Sequence, residues 1–149
     1  MSPNQYLYLE DLRVGMVFES GEYTVDADQI REFARHYDPQ PFHLDEEAAK
    51  GTFFGGLAAS GWHTAAITMR LIVQSVPIAG GIIGAGSEVT WPRATRPGDT
   101  LRVVSTIMDI APSSSKPDRG MVTVQSDTLN QHQALCQRSV ARLLAFRRG

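Results

Sequence analysis

The residues best equipped for chemistry lie together in Tyr37-Asp38-Pro39-Gln40-Pro41-Phe42-His43-Leu44-Asp45. Histidine titrates nearest to neutral pH of all side chains. A carboxylate beside it orients the ring and stabilises its protonated form. Pro39 and Pro41 fix φ near −65° at alternate positions, and each biases the residue before it toward an extended backbone. The segment therefore reads as a stiff, irregular strut holding Asp38 and His43 at a set separation, suited to acid–base work on a shared water. The same spacing also suits a turn capped by Asp38 and a structural His43.

The second segment is Gly55-Gly56-Leu57-Ala58-Ala59-Ser60-Gly61-Trp62-His63. Small residues run into the start of an apolar stretch that reads as a helix. The first N–H groups of a helix have no partner within it and lie at the positive end of its dipole. Gly61 carries no side chain, so a ligand oxygen can come close to its N–H. That arrangement suits a carbonyl whose oxygen gains charge. Close helix packing at Gly61 is the other reading.

These residues need elements to hold them. Asp26 and Gln29 have capping-box spacing ahead of Ile30, Phe33, Ala34 and Tyr37, the face of a helix that Pro39 should end near Tyr37. Asp45 can cap a short helix to about Lys50. A longer helix is expected over about Trp62–Ser75. Its apolar residues surround most of its circumference, which predicts burial on nearly all sides. Residues 7–25 read as short extended pieces around Gly15 and Gly21. Strands are expected at Ile82–Pro92, Thr100–Ile110, Met121–Leu129 and Ala134–Phe146, with turns at Arg96-Pro97-Gly98-Asp99, Ser113–Gly120 and Asn130–Gln133. A buried helix followed by antiparallel strands is an α+β arrangement, with the sheet wrapped around one helix.

Composition sets the outer limits. A chain of 149 residues reads as one domain spanning 1–149, large enough for its own core. A net charge of −2 argues against a basic nucleic-acid-binding face. One cysteine, Cys136, excludes a disulfide framework and reads as a small packing residue. No apolar run is long enough to span a membrane. Met1–Leu12 has neither the basic start nor the apolar stretch of a secretory leader, so a cytoplasmic location is the expectation.

Other side chains have suitable chemistry but less telling positions. His36, His43 and Asp45 are separated by a helix break, a poor spacing for a metal site, so no metal is expected. Arg93, Arg96, Lys116 and Arg119 are possible partners for phosphates, though scattered surface charge explains them as well. Phe53 and Phe54 suit either an apolar tunnel or the core. His63 reads as structural or solvent-facing, with a supporting role near the site as the alternative.

The strings DPQPFHLDEEAA and FGGLAASGWHTAA resemble the MaoC-like dehydratases, of the (R)-specific enoyl-CoA hydratase group of hotdog-fold proteins. Asp38, Pro41, His43, Asp45 and Ala49 match the family motif in order and spacing. Gly61 stands eighteen residues after the histidine, where the family has a glycine opening its central helix. Trp91-Pro92 and the Arg96–Asp99 turn extend the likeness, which covers about residues 10–146. Gln40 departs from an asparagine common in the family. Ser60-Gly61-Trp62 departs from His-Gly-Met, and the helix serine used by some members has no match in Ala66-Ile67-Thr68-Met69.

The resemblance implies a single hotdog fold, an antiparallel sheet around a long central helix. It implies that Asp38 and His43 hold the water that adds across, or leaves from, the α,β bond of an unsaturated acyl thioester. The Gly61 N–H would polarise the thioester carbonyl. Coenzyme A would enter only as part of an acyl-CoA substrate, with no other cofactor, in fatty acid metabolism. A homodimer or higher homo-oligomer is expected, since some relatives carry two hotdog units and this chain has room for one. The rivals are an acyl-CoA thioesterase on the same fold and a non-catalytic acyl-binding hotdog protein. A thioesterase would be expected to place a carboxylate on the central helix, and residues 62–75 contain none.

Overall fold

A computed structural model describes residues 5–149; Met1–Asn4, the beginning of the stretch read for a leader and of the 1–149 domain, lie outside the described residues. The elements in chain order are β1 (Val17–Thr24), α1 (Ala27–Tyr37), α2 (Pro41–Leu44), α3 (Glu46–Lys50), α4 (Gly61–Ser75), β2 (Ile83–Thr90), β3 (Thr100–Pro112), β4 (Arg119–Leu129) and β5 (Leu135–Phe146). The strands form one antiparallel sheet in the order β1-β3-β4-β5-β2. The sheet curls around α4, giving the α+β hotdog architecture.

Local chemistry explains most element boundaries. Asp26 accepts from the Gln29 N–H, and the Gln29 side chain accepts from the Asp26 N–H, closing the capping box of α1. Asp45 caps α3 by accepting from the N–H groups of Glu47 and Ala48. In the Arg96–Asp99 turn, Gly98 has φ +86° and the Asp99 carboxylate accepts from the Arg96 N–H. Asn130 accepts from the N–H groups of His132 and Ala134 to shape the β4–β5 hairpin.

Three expectations change. Residues 17–24 form a full edge strand, not scattered extended pieces; its pairing with β3 shifts register between Glu19 and Glu22, so the alternation is interrupted there. The supposed irregular strut contains a helical turn, α2, with Pro41 in the first turn where its missing N–H costs nothing. Third, α4 is not buried on all sides. Ile67 and Leu71 face the sheet, whereas Trp62, Met69 and Val73 are exposed. A single curved sheet covers only one side of a helix, so the apolar remainder has nothing in this chain to cover it.

The core has two apolar clusters. One joins Leu9, Leu12, Val76, Ile78 and Leu143 at the far end of α4; the other joins Val25, Ile30, Leu57, Ile67 and Leu101 nearer its start. Cys136 is fully buried in the second cluster, and burial pushes its thiol pKa up. Between the clusters lies a band of buried hydroxyls. The Thr64 hydroxyl donates to Thr95, Thr68 is paired with Thr128 at 2.6 Å, and Ser105 with Ser126 at 2.9 Å.

Candidate active site

The strut and the loop before α4 are laced together by backbone and side-chain bonds. The Ala58 N–H donates to the Phe42 carbonyl and the Ala59 N–H to the Thr95 carbonyl. Arg96 donates to the carbonyls of Phe54, Gly56 and Leu57. Arg96 is thereby committed to holding this loop, and Arg119 is paired with Asp118. Neither is a free cation for a phosphate.

This lacing brings the sequence-selected residues to one place. His43 is buried, and its Nε2 lies 3.3 Å from Asp38 Oδ2. Its Nδ1 lies 2.6 Å from the Ala58 carbonyl oxygen. A carbonyl only accepts, so Nδ1 carries the proton. In the neutral ring Nε2 is therefore an acceptor facing the same space as Asp38. Gln40 Nε2 donates to Asp38 Oδ1 at 2.5 Å. The residue that departs from the family's asparagine thus keeps a hydrogen bond to the key carboxylate.

Burial pushes the Asp38 pKa up. The hydrogen bond from Gln40, the nearby Ser60 hydroxyl and, when its ring is protonated, the charge of His43 more than offset it, so the carboxyl is held below its ordinary value. Ser60 is the residue that sequence reasoning undervalued. It caps α4 by accepting from the Trp62 N–H, and its hydroxyl comes close enough to Asp38 to favour the charged carboxylate. It couples the carboxylate to the helix start. The Asp-x-x-x-x-His spacing carries no trace of this, because the contact closes across the fold.

Gly61 is the first residue of α4, next to Ser60, and no acceptor among the described residues takes its N–H. The ring of Trp91 covers the glycine, so a Cβ there would lie 2.7 Å from the indole. Gly61 therefore serves close packing and leaves a helix-terminal N–H without an acceptor among the described residues.

The remaining candidates separate from this group. His63 is buried, stacked on Phe33 with ring centroids 4.6 Å apart; it is not solvent-facing. Phe54 packs against Phe42 and His43, while Phe53 is exposed. No cluster of three His, Cys, Asp or Glu side chains suited to a metal occurs among the described residues. A cavity of about 400 Å³ runs between α4 and strands β2, β4 and β5, lined from Ala65 and Gln137 at one end to Val76, Ile82 and Leu143 at the other. Neither phenylalanine lines it.

The antiparallel sheet curled around α4 defines the class as that of the hotdog-fold proteins. Comparison with known proteins agrees. The model of the MaoC-like domain family matches residues 11–130, and the chain belongs to that family. YdeM of Bacillus subtilis (strain 168), a protein of uncharacterised function, is 34% identical over 128 residues, which cover 84% of this chain and 89% of YdeM. The crystal structure of the MaoC-like dehydratase from Rhodospirillum rubrum is 61% identical, with a TM-score of 0.94 over 96% of this chain and 99% of that one. The (R)-hydratase PhaJ1 from Pseudomonas aeruginosa shares the fold, with a TM-score of 0.76 at 23% identity over 96% of this chain and 88% of that one.

Proposed function

We propose that the protein is a hydro-lyase of the (R)-specific enoyl-CoA hydratase or 3-hydroxyacyl-CoA dehydratase type. The observation that carries this reading is the 3.3 Å approach of His43 Nε2 to Asp38, with the ring held on the carbonyl of Ala58, three residues before the free N–H at Gly61. In the hydration direction the thioester oxygen sits on the Gly61 N–H, and water sits between Asp38 and His43. The neutral His43 Nε2 takes a proton from the water as its oxygen bonds to Cβ. The Asp38 carboxylate stabilises the imidazolium. The pair then returns that proton to Cα as the enolate-like charge collapses, so one H and one OH are added. Dehydration is the reverse.

Acid–base transfer supplies about 10²–10⁴-fold and a single oxyanion donor about 10²–10³-fold. The thioester already acidifies Cα, so this chemistry calls for no metal or organic cofactor; coenzyme A serves as the handle of an acyl-CoA substrate. The cavity under α4 takes the acyl chain. No helix among the described residues is long and apolar enough to cross a membrane, and a cytoplasmic acyl-CoA enzyme is the matching proposal.

The working unit is a homodimer in this reading. β2 is an edge strand with most of its residues exposed, and exposed Trp62, Met69, Val73 and Ile83 lie on α4 or on that edge. An uncovered strand edge and apolar face favour pairing with a second copy. Light scattering should give twice the chain mass.

The activity test is direct. Purified protein given crotonyl-CoA should remove the ultraviolet absorbance of the conjugated thioester and form 3-hydroxybutyryl-CoA of the R configuration. Release of free thiol without hydration would instead identify a thioesterase, and no turnover of any enoyl thioester would identify a non-catalytic binder.

A further inference from the structure

The cavity under α4 is graded in polarity, and the grade is set by register. Across β3, β4 and β5, three rows of side chains face α4. The row Val103–Thr128–Gln137 lies toward the start of α4, followed by Ser105–Ser126–Ser139 and then Ile107–Val124–Ala141. Further along, Val122 pairs with Leu143. The first two rows are mostly polar and the later ones apolar, although all are inside the fold.

Most of these polar groups satisfy one another. Thr68 is paired with Thr128, Ser105 with Ser126 and Thr64 with Thr95. Gln137 and Ser139 differ. Gln137 is 2% exposed, lines the cavity, and spends its Oε1 on the indole N–H of Trp91 at 2.8 Å. Its amide N–H groups have no acceptor among the described residues. Ser139, one row further in, also lines the cavity, and its hydroxyl has no partner among the described residues. Both residues line the cavity, so their donors can pair there with water or with a ligand oxygen, and an oxygen placed correctly gains a hydrogen bond that a plain hydrocarbon chain cannot make. Trp91 connects this pair to the reacting end, because the same indole lies over Gly61. At 1.5 Å per residue, Thr68 stands about 10 Å along α4 from Gly61, within reach of the middle of an acyl chain.

We propose that Gln137 and Ser139 select an acyl chain bearing a neutral oxygen, hydroxyl or keto, a few carbons beyond the double bond, with an apolar tail in the pocket near Val76 and Leu143. The donors suit an acceptor oxygen. A carboxylate does not fit, since none of the cavity-lining residues is Lys, Arg or His and a buried unpaired charge is far costlier than a buried hydroxyl. The proposal rests on the hydro-lyase reading for its reaction and on the cavity alone for its binding.

The experiment compares 2-octenoyl-CoA with two series of derivatives that carry a hydroxyl or a keto oxygen at successive carbons beyond the double bond. Calorimetry on the saturated, unreactive counterparts runs in parallel. One oxygenated derivative should exceed the plain chain about tenfold in both kcat/KM and affinity, as one buried hydrogen bond provides. The Gln137→Met variant should bring that ratio close to one, and Ser139→Ala should lower it. If Gln137→Met fails to fold, the wild-type panel with Ser139→Ala decides. Equal handling of the plain chain and every oxygenated chain overturns the inference while leaving the hydro-lyase reading intact, as does preference for a carboxylated chain. An affinity preference without hydration of any member has the opposite effect: the cavity assignment stands and the hydro-lyase reading falls.

Discussion

His43 and His63 are buried to nearly the same degree, 4% and 8% exposed, and both lie close to the start of α4. Their surroundings differ in kind. His43 Nδ1 donates to the Ala58 carbonyl, and its Nε2 stands 3.3 Å from the Asp38 carboxylate. His63 is stacked on Phe33, its Nδ1 has no hydrogen-bond partner, and desolvation holds its pKa below the ordinary value. Burial alone does not prepare a histidine for proton transfer. A fixed tautomer and a carboxylate within reach do.

The sharpest way to break that contrast is at the first histidine. Asp38→Asn and His43→Gln should each lower kcat/KM for crotonyl-CoA by about 10²–10⁴-fold, with the circular dichroism unchanged. Full activity in both variants would remove the pair from catalysis. The Asp38 carboxyl also has a stability signature. Because its folded pKa is depressed, its contribution is fully present above the ordinary value of 3.8 and is lost as pH falls through the lowered one. Asp38→Asn should remove that part of the acid destabilisation, measured by urea midpoints across the acid range.

A smaller effect is expected at Gly61. An alanine Cβ would stand 2.7 Å from the Trp91 indole, so the ring or the helix start must move. Gly61→Ala should cost about 1–3 kcal/mol of stability and about 10²-fold in rate, as the N–H leaves its position. Trp91→Ala in the same chain should recover stability by more than additivity allows, since the two positions touch. Additive losses would show that the clash is absorbed elsewhere.

The sequence reading carried unequal distances through the molecule. The spacing of Asp38 and His43 and the small residues before Gly61 mark candidates but leave structural readings open; the resemblance to the MaoC-like family supplies their expected roles, and the fold brings Asp38 and His43 within 3.3 Å. Most strand and turn positions were legible from alternation and from Pro-Gly and Asn turns. Ser60 against Asp38, Arg96 across three loop carbonyls and Trp91 over Gly61 were not, since each contact joins segments whose approach depends on how the sheet curls. The exposed face of α4 misled for a related reason. Apolar character all around a helix reports that every side needs cover, but not whether this chain or a second copy provides it. His63 was hardest to read, because its neighbour Phe33 lies thirty residues away in sequence, beyond α2 and α3.

The smallest effect tests the second half of the contrast. His63 should have no part in proton transfer, so His63→Phe should change kcat/KM by less than about threefold, while the His43 variant loses orders of magnitude. Its signature lies in stability. An imidazole that stays neutral in the fold and protonates when unfolded makes the unfolded state bind more protons. Its stabilising contribution is therefore intact above the ordinary value of 6.5 and declines as pH falls from there toward its lowered folded value. One such group gives a slope of at most about 1.4 kcal/mol per pH unit. His63→Phe keeps an aromatic ring against Phe33 and removes both the titration and the orphaned nitrogen. Its stability relative to wild type should therefore rise as the pH is lowered from 7 toward 5. A pH-independent difference would mean that His63 has a partner in solution, and the distinction between the two histidines would then be one of position and not of chemistry.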